Sequence, residues 1–233
     1  MVRDLVVIQR EIIECELCPR LREYCREIGQ VKRRAYRDQV YWARPVPGFG
    51  DPKARLLIVG LAPGAHGANR TGRMFTGDKS GEFLYRAMFE TGFASQAESV
   101  SINDGLTLKS AYIAASGRCA PPGNKPLKEE LARCRPFLER EIAALKQVRV
   151  VVALGGIAFD TYLSILRDQG KIERVGAFKF AHGAEYRPVS GGPVLLASYH
   201  PSQQNTSTGR LTREMLKDIF NRARLIASSA TCV

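Results

Sequence analysis

The sequence predicts an α/β protein: a three-layer α/β/α sandwich around a short, mainly parallel four-stranded sheet. Four short runs of Val, Ile, Leu and Ala have the continuous apolar character of strands buried on both faces of a parallel sheet. Helical segments lie between and after these runs, and this alternation is typical of an α/β sandwich. The 233 residues contain no linker-like or low-complexity tract, so residues 1–233 are expected to form a single domain.

The predicted strands are, in chain order, RLLIVGL at 55–61, AYIAA at 111–115, VRVVVAL at 148–154 and VLLASY at 194–199. The predicted helices lie near 79–91, 127–145, 157–167 and 208–227. Ligands of open parallel sheets bind beyond the carboxyl ends of the strands. Three of the four predicted strands run directly into unusual polar loops, so these loops are the expected site of function.

The chain carries an excess of positive charge, with 35 Lys and Arg against 23 Asp and Glu and a net charge of +12. A positive potential attracts and steers polyanions, so a nucleic acid is the expected partner. No apolar run reaches the length of about 18 residues that a membrane span needs, so no membrane span is expected. The charged N-terminal residues do not resemble a signal peptide, which predicts a cytoplasmic protein.

Four cysteines form two pairs: Cys15 with Cys18, and Cys119 with Cys134. A Cys-x2-Cys hairpin presents two thiolates to one ion or cluster, and the second pair would complete a four-thiolate site. Their neighbours are charged residues and prolines, which favours metal binding over burial as apolar side chains; disulfides are a further alternative. Zinc and iron–sulfur clusters both accept four cysteines, so these residues alone leave the metal open. The other cysteines, expected to be free thiols, are Cys25 and Cys232.

The loop after the first predicted strand is rich in glycine. The segment 60–78 reads GLAPGAHGANRTGRMFTGD, and glycine lets the backbone come close to a ligand. It contains neither G-x-G-x-x-G nor G-x-x-x-x-G-K-[ST], so the dinucleotide-binding and P-loop interpretations fail. The fourth predicted strand leads into SYHPSQQN at 198–205. His200 therefore follows a strand and precedes a proline turn, which favours a catalytic role over a structural one.

These two loops resemble the two motifs of the uracil-DNA glycosylase superfamily, specifically of its family 5, the UDGb type. The segments YWARPVPGFGDP at 41–52 and RCAPPGNKP at 118–126 are also similar to that family, so the resemblance covers nearly the whole chain. In order and spacing, the four paired cysteines match the ligands of the [4Fe-4S] cluster of families 4 and 5. The resemblance implies a monofunctional repair enzyme that flips a deaminated base out of double-stranded DNA and hydrolyses its N-glycosidic bond, leaving an abasic site. We expect it to act as a monomer.

Cleavage of an N-glycosidic bond builds positive charge on the deoxyribose and negative charge on the departing base. As in the family, His200 would donate a hydrogen bond from a neutral imidazole to the uracil O2. Related families carry an acidic or amide residue directly after the first strand, where this chain has Leu61 and Ala62. The resemblance then points to Asp78 as the group near the sugar, with Asp104, in a presumed surface loop, a weaker candidate. Asp78 is also a favoured N-cap for the following helix, and one carboxylate oxygen could serve each role.

Base recognition requires a pocket for the flipped nucleotide. By its motif position, Phe75 is expected to stack on the base. Families that select uracil carry an Asn on the second strand, and that position is Ala115 here. The resemblance thus implies a less selective pocket that accepts uracil, hypoxanthine and xanthine. The other residues expected to contact the substrate are Gly60, Ala62, Gly64, Asn124 and Asn205.

DNA contacts are expected around the strand ends, because phosphate contacts position a protein on DNA. The candidates are Asn69, Arg70, Arg73, Lys125, Gln204 and Arg210. The loop after His200 is the expected wedge that holds the duplex open, through Ser202, Gln203 and Gln204. Two alternatives stay open. One is a family 4 glycosylase restricted to uracil, against which Leu61, Ala62 and Ala115 argue; the other is a non-catalytic four-cysteine zinc protein that binds nucleic acid.

Overall fold

A six-stranded mixed sheet with helices on both faces forms the core of the computed structural model, which describes residues 2–229. The strands are β1 (Phe49–Gly50), β2 (Leu56–Gly60), β3 (Ala111–Ala115), β4 (Val150–Leu154), β5 (Glu185–Tyr186) and β6 (Val194–Ser198). The α-helices are α1 (Val2–Ile13), α2 (Pro19–Val31), α3 (Ala68–Thr71), α4 (Lys79–Glu90), α5 (Lys128–Ala144), α6 (Gly156–Asp168), α7 (Gln203–Ser207) and α8 (Arg213–Ser228). Cys232 lies outside the described residues, and within them no helix is long and apolar enough to cross a membrane.

The strand order is β1-β3-β2-β4-β6-β5. The four inner strands pair in parallel, and they are the four strands that the sequence predicts. The prediction of a four-stranded sheet is wrong in number, because β1 and β5 add an antiparallel edge on each side. Each edge strand has only two residues, too few to carry an apolar pattern that the sequence could reveal.

Side chains alternate along each central strand, so the sheet contributes to two cores. On one face, Leu56 and Ile58 of β2 belong to the core formed with α4 and α8. On the other face, Leu57 and Val59 belong to the core formed with α1, α5 and α6. The predicted three-layer α/β/α sandwich is therefore confirmed, and burial on both faces explains the continuous apolar runs.

The helices differ from the prediction at both ends of the chain. Helices α1 and α2 are additions, and α1 buries Leu5, Ile8 and Ile12 at helical spacing. The C-terminal helix begins at Arg213, later than predicted, because Thr212 accepts a hydrogen bond from the Met215 N–H at 3.2 Å and caps it. The residues before this cap form the separate short helix α7.

The register of the sheet brings the strand ends together. Gly60 at the end of β2 pairs with Ala115 at the end of β3, and Leu154 of β4 pairs with Ser198 of β6. The four parallel strands therefore end at one edge of the sheet. The polar loops that follow them meet at this edge.

Candidate active site

A cleft of about 870 Å³ lies at the carboxyl edge of the parallel strands. Its walls come from the glycine-rich loop after β2, the end of β3, the segment before α5 and the loop after β6. The predicted site residues that line it are Gly60, Ala62, Gly64, Phe75, Asp78, Ala115, Asn124, Lys125, His200 and Gln204. Four segments that are distant in sequence thus contribute to one cavity.

His200 follows β6 closely, and its ring centroid lies 5.8 Å from that of Phe75. Asn205, predicted to contact substrate, does not line the cleft; its Nδ2 donates to the His200 carbonyl at 2.9 Å and fixes the turn. Burial penalises the imidazolium and lowers the pKa of His200 to about 4. At neutral pH the side chain is therefore a neutral imidazole that can donate one N–H.

The floor of the cleft is apolar and shaped by two small residues. Phe75 has a left-handed backbone with φ 54°, and its ring packs over Gly60. A Cβ on Gly60 would lie 2.9 Å from Phe75 Cζ, too close for two carbon atoms. Ala115, paired with Gly60, presents only a methyl group to the same region. The aromatic ring beside a neutral imidazole suits the stacking of a planar base.

The two oxygens of Asp78 have different surroundings. Oδ1 accepts the Gly81 N–H at 2.9 Å and so caps α4, as the sequence suggests. Oδ2 lies against Gly64 and Gly67, and a Cβ on Gly67 would overlap it. Burial raises the pKa of Asp78, although the N–H groups of the cap and the nearby Arg70 oppose this rise. The result is a partly desolvated carboxyl group with one oxygen in the helix cap and the other beside the glycine-rich wall of the cleft.

Asn69 and Arg70 are buried, contrary to the prediction that they contact DNA. Asn69 is fully buried, and its amide donates to the Ala65 carbonyl at 3.4 Å. Arg70 is 8% exposed; it donates to the Gly77 carbonyl at 2.6 Å and lies 3.9 Å from the centre of the Tyr36 ring. Both side chains are occupied in holding the glycine-rich loop together.

Arg73, another predicted DNA contact, is 3% exposed and forms a bidentate ion pair with Asp104, at 2.9 and 2.7 Å. It also donates to Ser99 Oγ at 2.8 Å. Burial alone would raise the pKa of Asp104, but the hydrogen bonds from Arg73 and from backbone N–H groups hold it well below its usual range. Asp104 is therefore neither a free surface residue nor part of the cleft, and Arg73 has no surface to offer to a phosphate.

The remaining predicted DNA contacts are exposed. Lys125 and Gln204 lie at the rim of the cleft. Arg210 lies outside the cleft, with its guanidinium 4.6 Å from the centre of the Tyr199 ring. These three side chains can reach a ligand that extends beyond the cleft.

Sequence reasoning missed His66, which lines the same cleft. Its Nδ1 lies 3.1 Å from the Tyr41 hydroxyl, which also accepts the Arg33 N–H at 3.4 Å. This contact holds the His66 ring at the wall of the cleft, with its Nε2 edge on the other side of the ring. The position of His66 in the glycine-rich first motif, between Gly64 and Gly67, could have indicated that it lines the site.

The paired cysteines lie near one another. Cys18, Cys25 and Cys119 belong to one small buried cluster, and Cys134 on α5 is close enough for Cys15 and Cys18 to influence its pKa. Burial raises the pKa of the Cys18 and Cys134 thiols. Among residues 2–229, no three His, Cys, Asp or Glu side chains are close enough to hold a single metal ion. The cysteines are gathered, but not in the geometry of a mononuclear site.

One bidentate ion pair and two unpaired arginine donors lie near these cysteines. Arg20 forms a bidentate ion pair with Glu130, both contacts at 2.7 Å, and so ties α2 to α5. Arg22 Nη1 and Arg118 Nε are buried without a hydrogen-bond partner in the described chain. Arg22 lies beside Cys25 and helps to lower the pKa of its thiol, and Arg118 opposes the rise in the pKa of the Cys134 thiol. Arg22 pairs with Glu16 and Arg118 with Glu141, and the one unpaired nitrogen donor that each guanidinium keeps suits an anionic thiolate centre.

An enzyme that removes a base has to stack the base, hydrogen-bond to it as it departs and stabilise the sugar. The cleft offers a side chain for each task, which places the chain in the class of enzymes that cleave the bond between a base and its sugar. The family model of the uracil DNA glycosylase superfamily matches residues 47–224, and the chain belongs to this family.

Similar proteins include type-5 uracil-DNA glycosylases over nearly the whole chain and, at lower identity, type-4 enzymes such as that of Pyrobaculum aerophilum, 32% identical over 70% of this chain and 74% of that protein. The type-5 enzyme of Thermus thermophilus is 53% identical over 224 residues, which cover 96% of this chain and 99% of that protein. That of Mycobacterium leprae is 48% identical over 94% of each chain. The type-5 enzyme of Pyrobaculum aerophilum is 43% identical over 95% of this chain and 92% of that protein. The resemblance to family 5 is confirmed.

Proposed function

We propose that this protein excises uracil from double-stranded DNA, and hypoxanthine and xanthine as well, as a monofunctional N-glycosylase that leaves an abasic site. The observation that carries the proposal is the neutral imidazole of His200 beside Phe75, in the same cleft as Asp78. The names of the type-5 relatives support uracil as a substrate.

A glycosylase assay on duplex oligonucleotides tests this function. We expect release of uracil, hypoxanthine and xanthine, and no release from undamaged duplex. The strand should break only after alkali treatment, because a monofunctional enzyme leaves the backbone intact. A protein that releases no uracil would contradict the proposal.

The proposed chemistry assigns one role to each side chain. Phe75 stacks on the flipped base. As the C1′–N bond breaks, its electron pair moves into the base, and His200 donates a hydrogen bond to the base oxygen that gains negative charge. Water adds to C1′ and loses a proton, and the Asp78 carboxylate orients this water and stabilises the positive sugar. The proton that the water loses neutralises the departing base anion, so the products are the neutral free base and the abasic sugar.

We expect Asp78→Asn to lower the single-turnover rate by about 100-fold, because it removes the charge that faces the sugar. The raised pKa of Asp78 predicts that the wild-type rate falls as the pH is lowered, beginning above the usual range of a carboxyl group. His200, with a pKa of about 4, stays neutral across most of this range, so the decline belongs to Asp78. The pH profile of Asp78→Asn should lack it.

The Asn side chain still accepts the Gly81 N–H, so the helix cap is retained. Thr212→Ala is the matched control: it removes the cap of α8 and should lower stability by about 1 kcal/mol without changing the rate. Retention of the wild-type rate and pH profile by Asp78→Asn would exclude a catalytic carboxylate.

Ala115 is the proposed source of broad base selection. An amide at this buried position at the end of β3 should read the uracil edge, so Ala115→Asn should shift the ratio of rates toward uracil over hypoxanthine. One added hydrogen bond contributes about 1–1.5 kcal/mol, or up to about tenfold. Single-turnover rates on both substrates, in one sequence context and salt, give the ratio.

Ala115→Leu is the control, since Leu has similar bulk and no amide. It should lower both rates together. An unchanged ratio in folded Ala115→Asn, or the same shift in Ala115→Leu, would show that base selection is built elsewhere.

The wedge is proposed at the start of α7. Ser202 lies at its N-cap position, and the exposed Gln203 and Gln204 follow at the rim of the cleft. Long polar side chains there can enter the space that a flipped nucleotide leaves. The net charge of +12 supports DNA as the partner.

We further propose that Cys15, Cys18, Cys119 and Cys134 hold a [4Fe-4S] cluster. Support comes from their shared location and from the unpaired donors of Arg22 and Arg118, which suit an anionic centre. The thiolates of a cluster are farther apart than those around a single zinc ion, so the cysteines need not meet the geometry of a mononuclear site. When bound, the cluster supplies folding energy by joining the N-terminal segment to the segment before α5. A brown colour with broad visible absorption would separate iron–sulfur from zinc.

A further inference from the structure

A second groove, of about 680 Å³, adjoins the active-site cleft. Helix α7 lies between the two cavities. Gln203 lines both, Gln204 lines the cleft, and Thr206 and Ser207 line the groove. The groove therefore lies on the other side of the proposed wedge.

Basic side chains face this groove from two helices. Arg86 is exposed on α4, and Arg213 is the first residue of α8. Lys79 and Glu82 also line the groove and pair at 2.9 Å, and Glu98 is the other carboxylate in its lining, so the charged lining keeps a positive excess. Arg86 and Arg213 form no ion pair among residues 2–229, so both charges are available to an anion. Two unpaired guanidinium groups on rigid helices suit a phosphate backbone.

One wall of the groove is held in place from inside the protein. Asp104 accepts the Val100 N–H at 2.8 Å, and the Arg73 guanidinium, paired with Asp104, donates to Ser99. The Ser99 carbonyl accepts the Gly77 N–H at 2.9 Å, next to Asp78. Val100 is 60% exposed and gives this wall an apolar surface. The buried pair thus fixes the groove relative to the catalytic loop.

We propose that this groove binds the undamaged strand of a DNA duplex while the cleft takes the flipped nucleotide of the other strand. This inference rests on the proposed function. A wedge that fills the space of the flipped nucleotide lies between the damaged strand and the base left without a partner, so the damaged strand lies on the cleft side of α7 and the undamaged strand on the groove side. Phosphates of the undamaged strand meet Arg86 and Arg213, and Val100 contacts its sugars or the base left without a partner.

The double variant Arg86→Ala/Arg213→Ala tests the groove. Both changes preserve the fold, because Ala is the best helix former and a positive charge is unfavourable at a helix N-terminus. The dissociation constant is measured for a uracil-containing single strand and for the same strand annealed to its complement, over a range of salt. We expect the duplex constant to rise about tenfold and its salt slope to fall by about 2, with single-strand binding unchanged.

Lys171→Ala/Arg174→Ala is the matched control. These exposed residues lie in the loop after α6, at the opposite edge of the sheet, and removing them deletes the same charge. Equal weakening on single-stranded and duplex DNA would assign the two arginines to the damaged strand and overturn the proposal. Unchanged duplex affinity would also overturn it. If either result is found while the wild type still excises uracil, the proposal for the groove is wrong and the proposed function is unaffected. If the wild type excises uracil from neither substrate, the proposed function is wrong.

Discussion

His200→Ala should lower the single-turnover rate of uracil excision by about 10²–10³-fold. The substitution removes the imidazole 5.8 Å from the Phe75 ring, and with it the proposed donor to the oxygen that becomes negative in the transition state. The interaction is made mainly with the departing base, so the affinity for DNA should hardly change. Because the pKa of His200 is about 4, the loss should be the same at every pH at which the wild type is neutral at this position.

His182, a second histidine near the end of β6, provides the control for His200. His182 Nδ1 accepts the Tyr199 N–H at 3.2 Å and its ring stacks on that of Tyr199, so it positions the end of β6. His182→Asn keeps an acceptor for this N–H while removing an imidazole. A loss in His182→Asn as large as that in His200→Ala would mean that both histidines act only by shaping the loop.

Cys119→Ser should remove the iron and the visible absorption and destabilise the domain. Cys119 is buried with Cys18, so its loss opens a site that joins two distant segments. We expect the free energy of unfolding to fall by about 3 kcal/mol or more, which lowers the melting temperature by roughly 10 °C in a protein of this size. Iron analysis, absorption spectra and thermal melts measure the three effects.

Cys25→Ser is the matched control, because Cys25 is buried in the same group and its Sγ donates to the Ala120 carbonyl at 3.6 Å. It should keep its iron. A Cys119→Ser variant with full iron content and an unchanged melting temperature would refute the ligand assignment. Loss of iron in Cys25→Ser would move that assignment to the fifth cysteine.

The four parallel strands at the centre of the sheet could be predicted because strands buried on both faces consist of continuous apolar residues. The edge strands β1 and β5 could not, since a two-residue strand depends on its partner and not on its own side chains. Helix α1 could not be recognised easily, because the exposed Val6 and Val7 blur the helical spacing of the buried Leu5, Ile8 and Ile12.

Within the site, most residues that face the cleft could be predicted from their motif positions, with His66 missed and Asn205 wrongly included, but the burial of the charged residues between them could not be predicted. Arg70 and Arg73 have the composition of DNA contacts, and sequence gives no measure of whether a guanidinium points to a ligand or to a loop. The partner of Arg73 is Asp104, 31 residues away, and only the folded loops bring them together. A buried ion pair between two loops depends on the tertiary structure, so the local sequence around either residue does not predict it.

The hydrogen bond from Asn205 to the His200 carbonyl joins the wedge to the imidazole. Under the proposed roles, a displacement of α7 on DNA would also displace the turn that carries His200. The number of residues between His200 and Asn205 is therefore expected to matter, since one inserted residue would separate the Asn205 amide from the His200 carbonyl.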